Sequence, residues 1–345
     1  MNTNSLKGIL GGATALVLSL NGAAHATDMT MSTWLPPAHI LSTELEGWAA
    51  SLEEASDGSL NVDIYPSQQL GAAPDHYDMA RDGIVDMALV SPAYNAGRFP
   101  IFAYVEIPFS FGNSTTGTRA FHEWFLDYAG AEMGDVKVCL ITLHAPGLMH
   151  FAKEGVETPE DLSGLRMRPA GPTVAEWLTQ QGANIVPSSL PEVRELADRN
   201  VIDGTTLPWD MADFGIHEAL SFHLDMPMYV GAQVHVINPS FYDSLSDDER
   251  AAVDSHCTPE WSERISTAWF DEAERFRVQL SEDDSQTIYA ISADQKAAWR
   301  ATSDPVRDAG YAAVSAKYAD IDGAEIGAML QEKLEAAGAA YDSVE

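Results

Sequence analysis

The sequence predicts an α/β protein of two lobes with one long helix running between them. Three observations carry this. Short apolar strand-like runs alternate with helical periodicities along the chain, the order that favours parallel pairing in an α/β sheet. The segment "RDGIVDMALVSP" (81–92) has a counterpart of the same grammar in "RNVIDGTTLPWD" (199–210). From Thr258 a single amphipathic stretch carries Trp261, Ile265, Trp269, Ala273, Phe276 and Leu280 at intervals of three or four, one apolar stripe on a helix of about 35 Å. A length of 345 residues fits two domains at about 150 residues each.

The N-terminus reads as a leader. Lys7 precedes an apolar run from Ile9 to Leu20, and Ala24-His25-Ala26 supplies a small-x-small cleavage pattern; the run is too short for a bilayer-spanning helix. Residues 1–26 are therefore expected to be removed as a signal peptide, with no cysteine at the cut to carry a lipid. No later stretch reaches about 18 uninterrupted apolar residues, so the exported chain is expected to be soluble.

The elements then follow in order. "DMTMSTWLPP" alternates like a strand and stops at a proline pair. "HILSTELEGWAASLEEASDG" puts Leu41, Leu45, Trp48 and Leu52 on one helical face and ends at Asp57-Gly58. "SLNVDIYP" is a strand, and "PDHYDMARDGIVDMALVSPAY" gives helix, turn and strand. "DVKVCLITLH" and "LMHFAKEG" look like strands. "TPEDLSGLRMRPAG" opens on a helix start and passes into a strand through Arg168. "PTVAEWLTQQGA" is a helix stopped by Gly182, "NIVPSS" a strand, and "LPEVRELADRNVIDGTTLPW" helix, turn and strand. The long helix starts at the cap Thr258 with Pro259 in its first turn, and residues 293–345 read as further helices.

Charge and cysteine content narrow the functions. Lys plus Arg number 19 against 52 Asp plus Glu, a net charge of −33 at pH 7. That argues against nucleic acid and anionic membrane surfaces as partners. It fits a salt-adapted surface or simply an acidic exported protein. Cys139 and Cys257 are the two cysteines. An exported chain can pair them, but a domain of this size needs no staple and both sit among apolar or mixed residues, so buried free thiols are expected.

No catalytic signature is present: no G-x-S-x-G, no G-x-G-x-x-G after a strand, no P-loop, no CxxC pair and no HExxH. His144 and His150 bracket a Pro-Gly turn in "LHAPGLMH" and could face one another, but no third ligand stands at metal-site spacing. His144 is either a hydrogen-bond donor to a ligand or an ordinary polar residue at a strand end. Arg166 and Arg168 are more telling in a chain so poor in cations. Arg168 closes a strand, where ligand crevices of α/β sheets form, and its fork can hold a carboxylate through two parallel bonds. Spacing alone fits a surface salt bridge equally. Leu207, Trp209 and Asp210 close the equivalent strand of the second lobe, while Trp34, Ser91 and Tyr94 lie at strand ends of the first. These are packing residues or the two walls of one crevice.

Several stretches together resemble a known family. They are "STWLPPAH", "PSQQLG", "RDGIVDMALVSPAYNAGRFP", "IPFSF", "TPEDLSGLRMRPAG", "QGANIVPSSLPEVRELADRNVIDG" and "INPSFYDSLSDDER". In this order, from about Met31 to near Leu280, they are similar to the periplasmic substrate-binding proteins of TRAP transporters, the DctP type. The resemblance implies the two-lobed periplasmic binding protein fold, closing on a ligand, with the long helix 258–281 shared. The first lobe is expected over 27–145 and about 234–270, the second over 146–233 and about 271–345. It also implies a monomeric receptor in the periplasm, without catalysis or cofactor, that hands a small organic acid to small and large permease subunits in the membrane. The family's carboxylate-clamping arginine matches Arg168, which leaves Arg166 structural.

Two departures bear on the ligand. Gly147-Leu148-Met149 lacks a second arginine that many members carry, and Leu207 replaces a usual asparagine. The expected ligand is therefore a monocarboxylate with an apolar or aromatic body, with His144 meeting a hydroxyl or keto oxygen. Some relatives hold their carboxylate through a divalent cation. A metal or metal-chelate receptor is the alternative within the binding class, and a periplasmic hydrolase the alternative outside it.

Overall fold

The computed structural model describes residue 1, residues 26–153 and residues 155–343; the expected leader lies outside them apart from its ends. The first half runs β1 (Thr27–Ser32), α1 (Ile40–Ala55), β2 (Leu60–Tyr65), α2 (His76–Arg81), β3 (Met87–Val90), α3 (Ser114–Glu132), β4 (Lys137–Leu143), β5 (Gly147–Phe151), β6 (Arg166–Arg168) and α4 (Pro172–Gln180). It continues with β7 (Asn184–Ile185), α5 (Val193–Asp198), β8 (Gly204–Leu207), β9 (Phe222–Tyr229), β10 (Ala232–Ile237), α6 (Pro239–Ser244), α7 (Asp247–His256) and α8 (Pro259–Ser281). β11 (Thr287–Tyr289), α9 (Ala293–Arg300), α10 (Asp304–Lys317) and α11 (Gly323–Ala336) complete it.

The strands form two sheets, in the orders β2-β1-β3-β10-β4 and β11-β9-β5-β8-β6-β7. β1, β2 and β3 pair in parallel, as do β6, β7 and β8. The sheets are nevertheless mixed: β10 lies antiparallel to β3 and β4, and β5 antiparallel to β8 and β9. The reason is the way the lobes are joined. β4 runs into β5, and β9 into β10, through two short crossovers, so each sheet receives a strand returning from the other lobe. β9 and β10 were not legible as strands. Every residue of β10 is buried, including Gln233 and His235, and a strand covered on both faces shows no alternation.

Helices cover each sheet on both faces. Trp48 of α1 and Ile265 and Trp269 of α8 pack on one side of the first sheet, Phe121, Trp124 and Phe125 of α3 on the other. Trp177 and Trp299 cover one face of the second sheet, Val193, Ala273 and Phe276 the other. The apolar stripe of α8 thus serves the first lobe with its N-terminal half and the second with its C-terminal half. α8 also closes the edge strand β4: the Ser262 and Ser266 hydroxyls, one turn apart, accept the amides of Ile141 and Leu143 at 3.0 and 2.9 Å. Those amides would otherwise be buried without partners.

Two expectations are corrected. Cys139 and Cys257 are joined in a disulfide, not left as free thiols. Cys139 is buried as its apolar setting suggests, but the end of α7 packs against β4 and brings Cys257 to it, a proximity invisible in a separation of 118 residues. The C-terminal helices do not follow the division at 271. Trp299 of α9 belongs with the second lobe, whereas α11 packs on α3 of the first, with Trp124 donating to the Ile326 carbonyl at 3.0 Å and Tyr104 to that of Gly323 at 2.9 Å. The chain returns because Phe121 and Trp124 need an apolar cover that Leu330 and Leu334 supply.

Candidate ligand-binding site

Between the lobes, beside the two crossovers, lies a cavity lined by Trp34, Ser91, Tyr94, His144, Arg168, Leu207 and Asp210 among others. Arg168 ends β6, pinned by pairing with Thr205 of β8 and by the Thr205 hydroxyl, which donates to its carbonyl at 3.0 Å. Its side chain is 1% exposed. Nε and Nη2 both donate to the Ser188 carbonyl, at 3.1 and 3.0 Å, and Nη1 has no partner. Burial pulls its pKa down, opposed by the neighbouring Tyr94 and Tyr229 hydroxyls; an arginine still keeps its charge. Among the described residues, Arg168 and Arg264 are the arginines without a carboxylate in ion-pair contact, and Arg264 lies over Trp261, 4.7 Å from the ring centre. Arg168 is thus a buried cation with no carboxylate beside it, in a protein with many spare carboxylates, and its Nη1 has no hydrogen-bond partner.

Arg166 differs. Its Nε and Nη2 grip Asp203 at 3.0 and 2.7 Å, Nη1 reaches the Asn200 carbonyl at 2.6 Å, and the side chain is 44% exposed. It ties β6 to the turn before β8.

The scan against family models matches residues 31–313 to DctP, the bacterial extracellular solute-binding proteins of family 7. The chain belongs to that family. Among its relatives is the C4-dicarboxylate-binding periplasmic protein DctP of Rhodobacter capsulatus, 25% identical over 333 residues that cover 89% of this chain and 94% of the relative. A TRAP solute-binding protein from Rhodoferax ferrireducens, crystallised with copurified benzoate, is 26% identical and superposes with a TM-score of 0.85 over 90% of this chain and 98% of its own. A marine-metagenome TRAP protein specific for aromatic acids, solved with 3-hydroxybenzoate, shares the fold at 24% identity and a TM-score of 0.85, covering 91% of this chain and 99% of that one. These relatives are solute-binding proteins of transport systems, and this DctP-family chain is a binding protein of the same two-lobed build.

The remaining expected residues sort by geometry. Trp34 and Tyr94 form an aromatic wall, ring centres 5.8 Å apart, and Trp34 Nε1 has no partner. The Tyr94 hydroxyl accepts the Leu190 amide at 3.1 Å, a bond across the cleft. Leu207 and Ser91 line the wall without polar contacts of their own there. Asp210 also lines it, but its Oδ2 accepts from Trp269 Nε1 at 2.5 Å and stands 3.5 Å from His39 Nε2. Burial would raise its pKa, yet the His39 ring beside it and the Trp269 hydrogen bond prevail and hold it below the ordinary carboxylate range.

Trp209 is not on the cavity. β8 ends at Leu207 and a 3₁₀ turn spans Trp209–Phe214, so the two-residue alternation that would align Trp209 with Leu207 stops there. Its ring packs on His150 and His223, at 5.5 and 5.3 Å. His144 does line the cavity, but both ring nitrogens are taken: Nδ1 donates to the Ala145 carbonyl at 2.6 Å and Nε2 accepts the Gly231 amide at 2.8 Å. It therefore joins the two crossovers and has no hydrogen to give a ligand oxygen. Nor does it face His150, whose partners are His223 Nδ1 at 2.8 Å and the Leu207 carbonyl at 3.0 Å.

Among the described residues no group of three or more His, Cys, Asp or Glu is placed to hold a metal ion, and no helix is long and apolar enough to cross a membrane. A serine–histidine pair does occur, Ser262 with His122 Nδ1 at 2.9 Å. Both are fully buried, and Ser262 is engaged with β4, so the pair is a tether and offers no nucleophile.

Sequence reasoning missed Glu106, Gln233 and Trp269 on the cavity wall. Trp269 sits on the apolar stripe of α8 and reads as packing, which it also is. Glu106 carries a signal, a single acid inside the apolar run "IFAYVEIPF". Gln233 lies in the strand that was not legible.

Proposed function

We propose that this protein captures a small monocarboxylate with an apolar or aromatic body and delivers it to a TRAP permease of small and large membrane subunits. It works in the periplasm, as a monomer, after loss of residues 1–26. The observation that carries the reading is the free Nη1 of the buried Arg168 guanidinium, on the same cavity as the unpartnered Trp34 Nε1, with Tyr94 and Leu207 as apolar wall. A carboxylate presented to such donors gains charge-assisted bonds in a place water leaves when the cleft shuts. The benzoate held by the Rhodoferax relative fits a pocket of this character. Because the ligand touches both lobes, it favours the closed arrangement through contacts the open one lacks.

Titration calorimetry with benzoate, phenylacetate and their hydroxylated forms tests this. The wild-type protein is expected to bind at least one of them. Arg168→Ala is expected to lose at least about 100-fold, corresponding to loss of a buried charge-assisted pair, and Arg166→Ala to change affinity by less than about threefold. Equal losses in the two variants, or no carboxylate bound, would falsify the assignment.

A further inference from the structure

The unpaired polar atoms of the cavity say more about the ligand than its charge. Three are donors: Arg168 Nη1, Trp34 Nε1 and His39 Nε2, whose ring accepts the Leu41 amide through Nδ1. His39 Nε2 faces Asp210 at 3.5 Å, and a ligand carboxylate answers the other two. Two others are acceptors: Glu106 Oε2 and Gln233 Oε1 are buried with no hydrogen-bond partner, in residues 5% and 8% exposed that line the same cavity as Arg168. A bare monocarboxylate has no hydrogen for either. It would leave both acceptors buried and unsatisfied, facing an apolar ring or another carboxylate, an arrangement buried polar groups rarely tolerate.

Glu106 sits at a helix N-terminus. Its carboxyl rests on the first turn of α4, whose N-cap Gly171 offers no side-chain acceptor. A Cβ at residue 171 would lie 2.2 Å from Glu106 Oε1, so the glycine is what lets the carboxyl approach. The first lobe thus caps a helix of the second, as an N-cap side chain would. Both oxygens approach it, Oε2 standing 2.4 Å from the same Cβ position, and Oε2 has no hydrogen-bond partner. Burial pushes the Glu106 pKa up to about 7, against the pull of the Thr173 amide and hydroxyl and of Arg168.

Resting on the monocarboxylate reading above, we propose that the ligand carries a neutral hydrogen-bond donor, a hydroxyl or an amide N–H, on its otherwise apolar body, and that Glu106 and Gln233 receive it. Glu106 is then the residue that selects among acids the arginine holds equally well. An ammonium would add a further charge to an apolar cleft that already holds one buried cation; a hydroxyl gives its one hydrogen to this pair of acceptors without adding charge.

Matched pairs of acids test this on the mature protein: phenylacetate against mandelate, and benzoate against 3-hydroxybenzoate, by calorimetry. In the wild type the hydroxylated member of at least one pair is expected to bind about tenfold tighter or better, because a site built around hydrogen-bonding groups rejects the analogue that leaves them unpaired. In Glu106→Leu the ratio of the two dissociation constants is expected to fall to within about threefold of unity. Gln233→Leu, which leaves the cap on α4 intact, lowers the same ratio, so a poorly folded Glu106 variant does not void the experiment. Equal affinities within both pairs, or a hydroxyl preference undiminished in both variants, overturn the proposal. If no acid of either pair binds, or if Arg168→Ala leaves binding untouched, the monocarboxylate reading itself fails and takes this one with it.

Discussion

His144 shows how a residue of the right type in the right place can have another task. It lies at a strand end on the cavity wall, where a ligand contact is expected, but the crossover at Gly231 uses its ring first. The Gly231 amide donates to His144 Nε2, the Gly231 carbonyl accepts the His144 amide at 3.1 Å, and a Cβ at residue 231 would stand 2.5 Å from that nitrogen. Burial lowers the histidine's pKa, so the ring stays neutral and accepting, as the bond requires. His144→Ala is expected to cost about 2–4 kcal/mol, because it leaves a buried amide unpaired and opens a void beside Trp269 and Tyr229. Urea unfolding of the ligand-free protein measures this. Unchanged stability with lost acid binding would return His144 to the ligand. Arg168 is the converse case: residue type and position at the strand end marked it in the sequence, but only its free Nη1 separates it from the surface ion pairs of its neighbours.

Elements were legible where their pattern is local. α8 begins at its cap Thr258 and ends at Ser281, as its stripe and caps require, and α1 and α4 follow their periodicities. β10 was not legible because burial on both faces removes alternation, and the 3₁₀ turn after β8 displaced Trp209 because a strand pattern cannot announce where it stops. The disulfide is the clearest non-local feature. Cys257 closes α7 immediately before the α8 cap, and Cys139 lies in the edge strand whose amides α8 accepts. The bond therefore fixes the start of the lobe-spanning helix to the first sheet, next to Ser262. Closing a loop with a sequence separation of 118 residues removes chain entropy from the unfolded state worth about 4–5 kcal/mol. Replacing both cysteines by alanine is expected to lower the melting temperature by roughly 5–10 °C while the fold is retained. A melting curve that does not move would mean that the serine tethers and the apolar stripe hold α8 without it.

At the scale of the whole molecule the dominant quantity is the charge of −33. The described arginines are almost all engaged by acids, mostly on the surface, where each pair contributes about 0–1 kcal/mol. The excess carboxylates have no such partners and repel one another. Folding brings them closer than the expanded chain does, so the repulsion is a cost borne by the native state. Salt shortens its range, from about 8 Å at 0.15 M to about 3 Å at 1 M. The melting temperature is therefore expected to climb by several degrees between 0.1 and 1 M NaCl, and equally in KCl, since screening depends on ionic strength and not on the cation. Ligand affinity is expected to change less over the same range, because Arg168 is buried and its contact is little screened. Differential scanning calorimetry with and without a bound acid separates the two effects. A strong rise in melting temperature supports a surface adapted to salt; a flat curve means the carboxylates are far enough apart to be harmless, and the acidity then reflects export alone. A rise seen in one cation only would point instead to specific cation binding among the surface carboxylates.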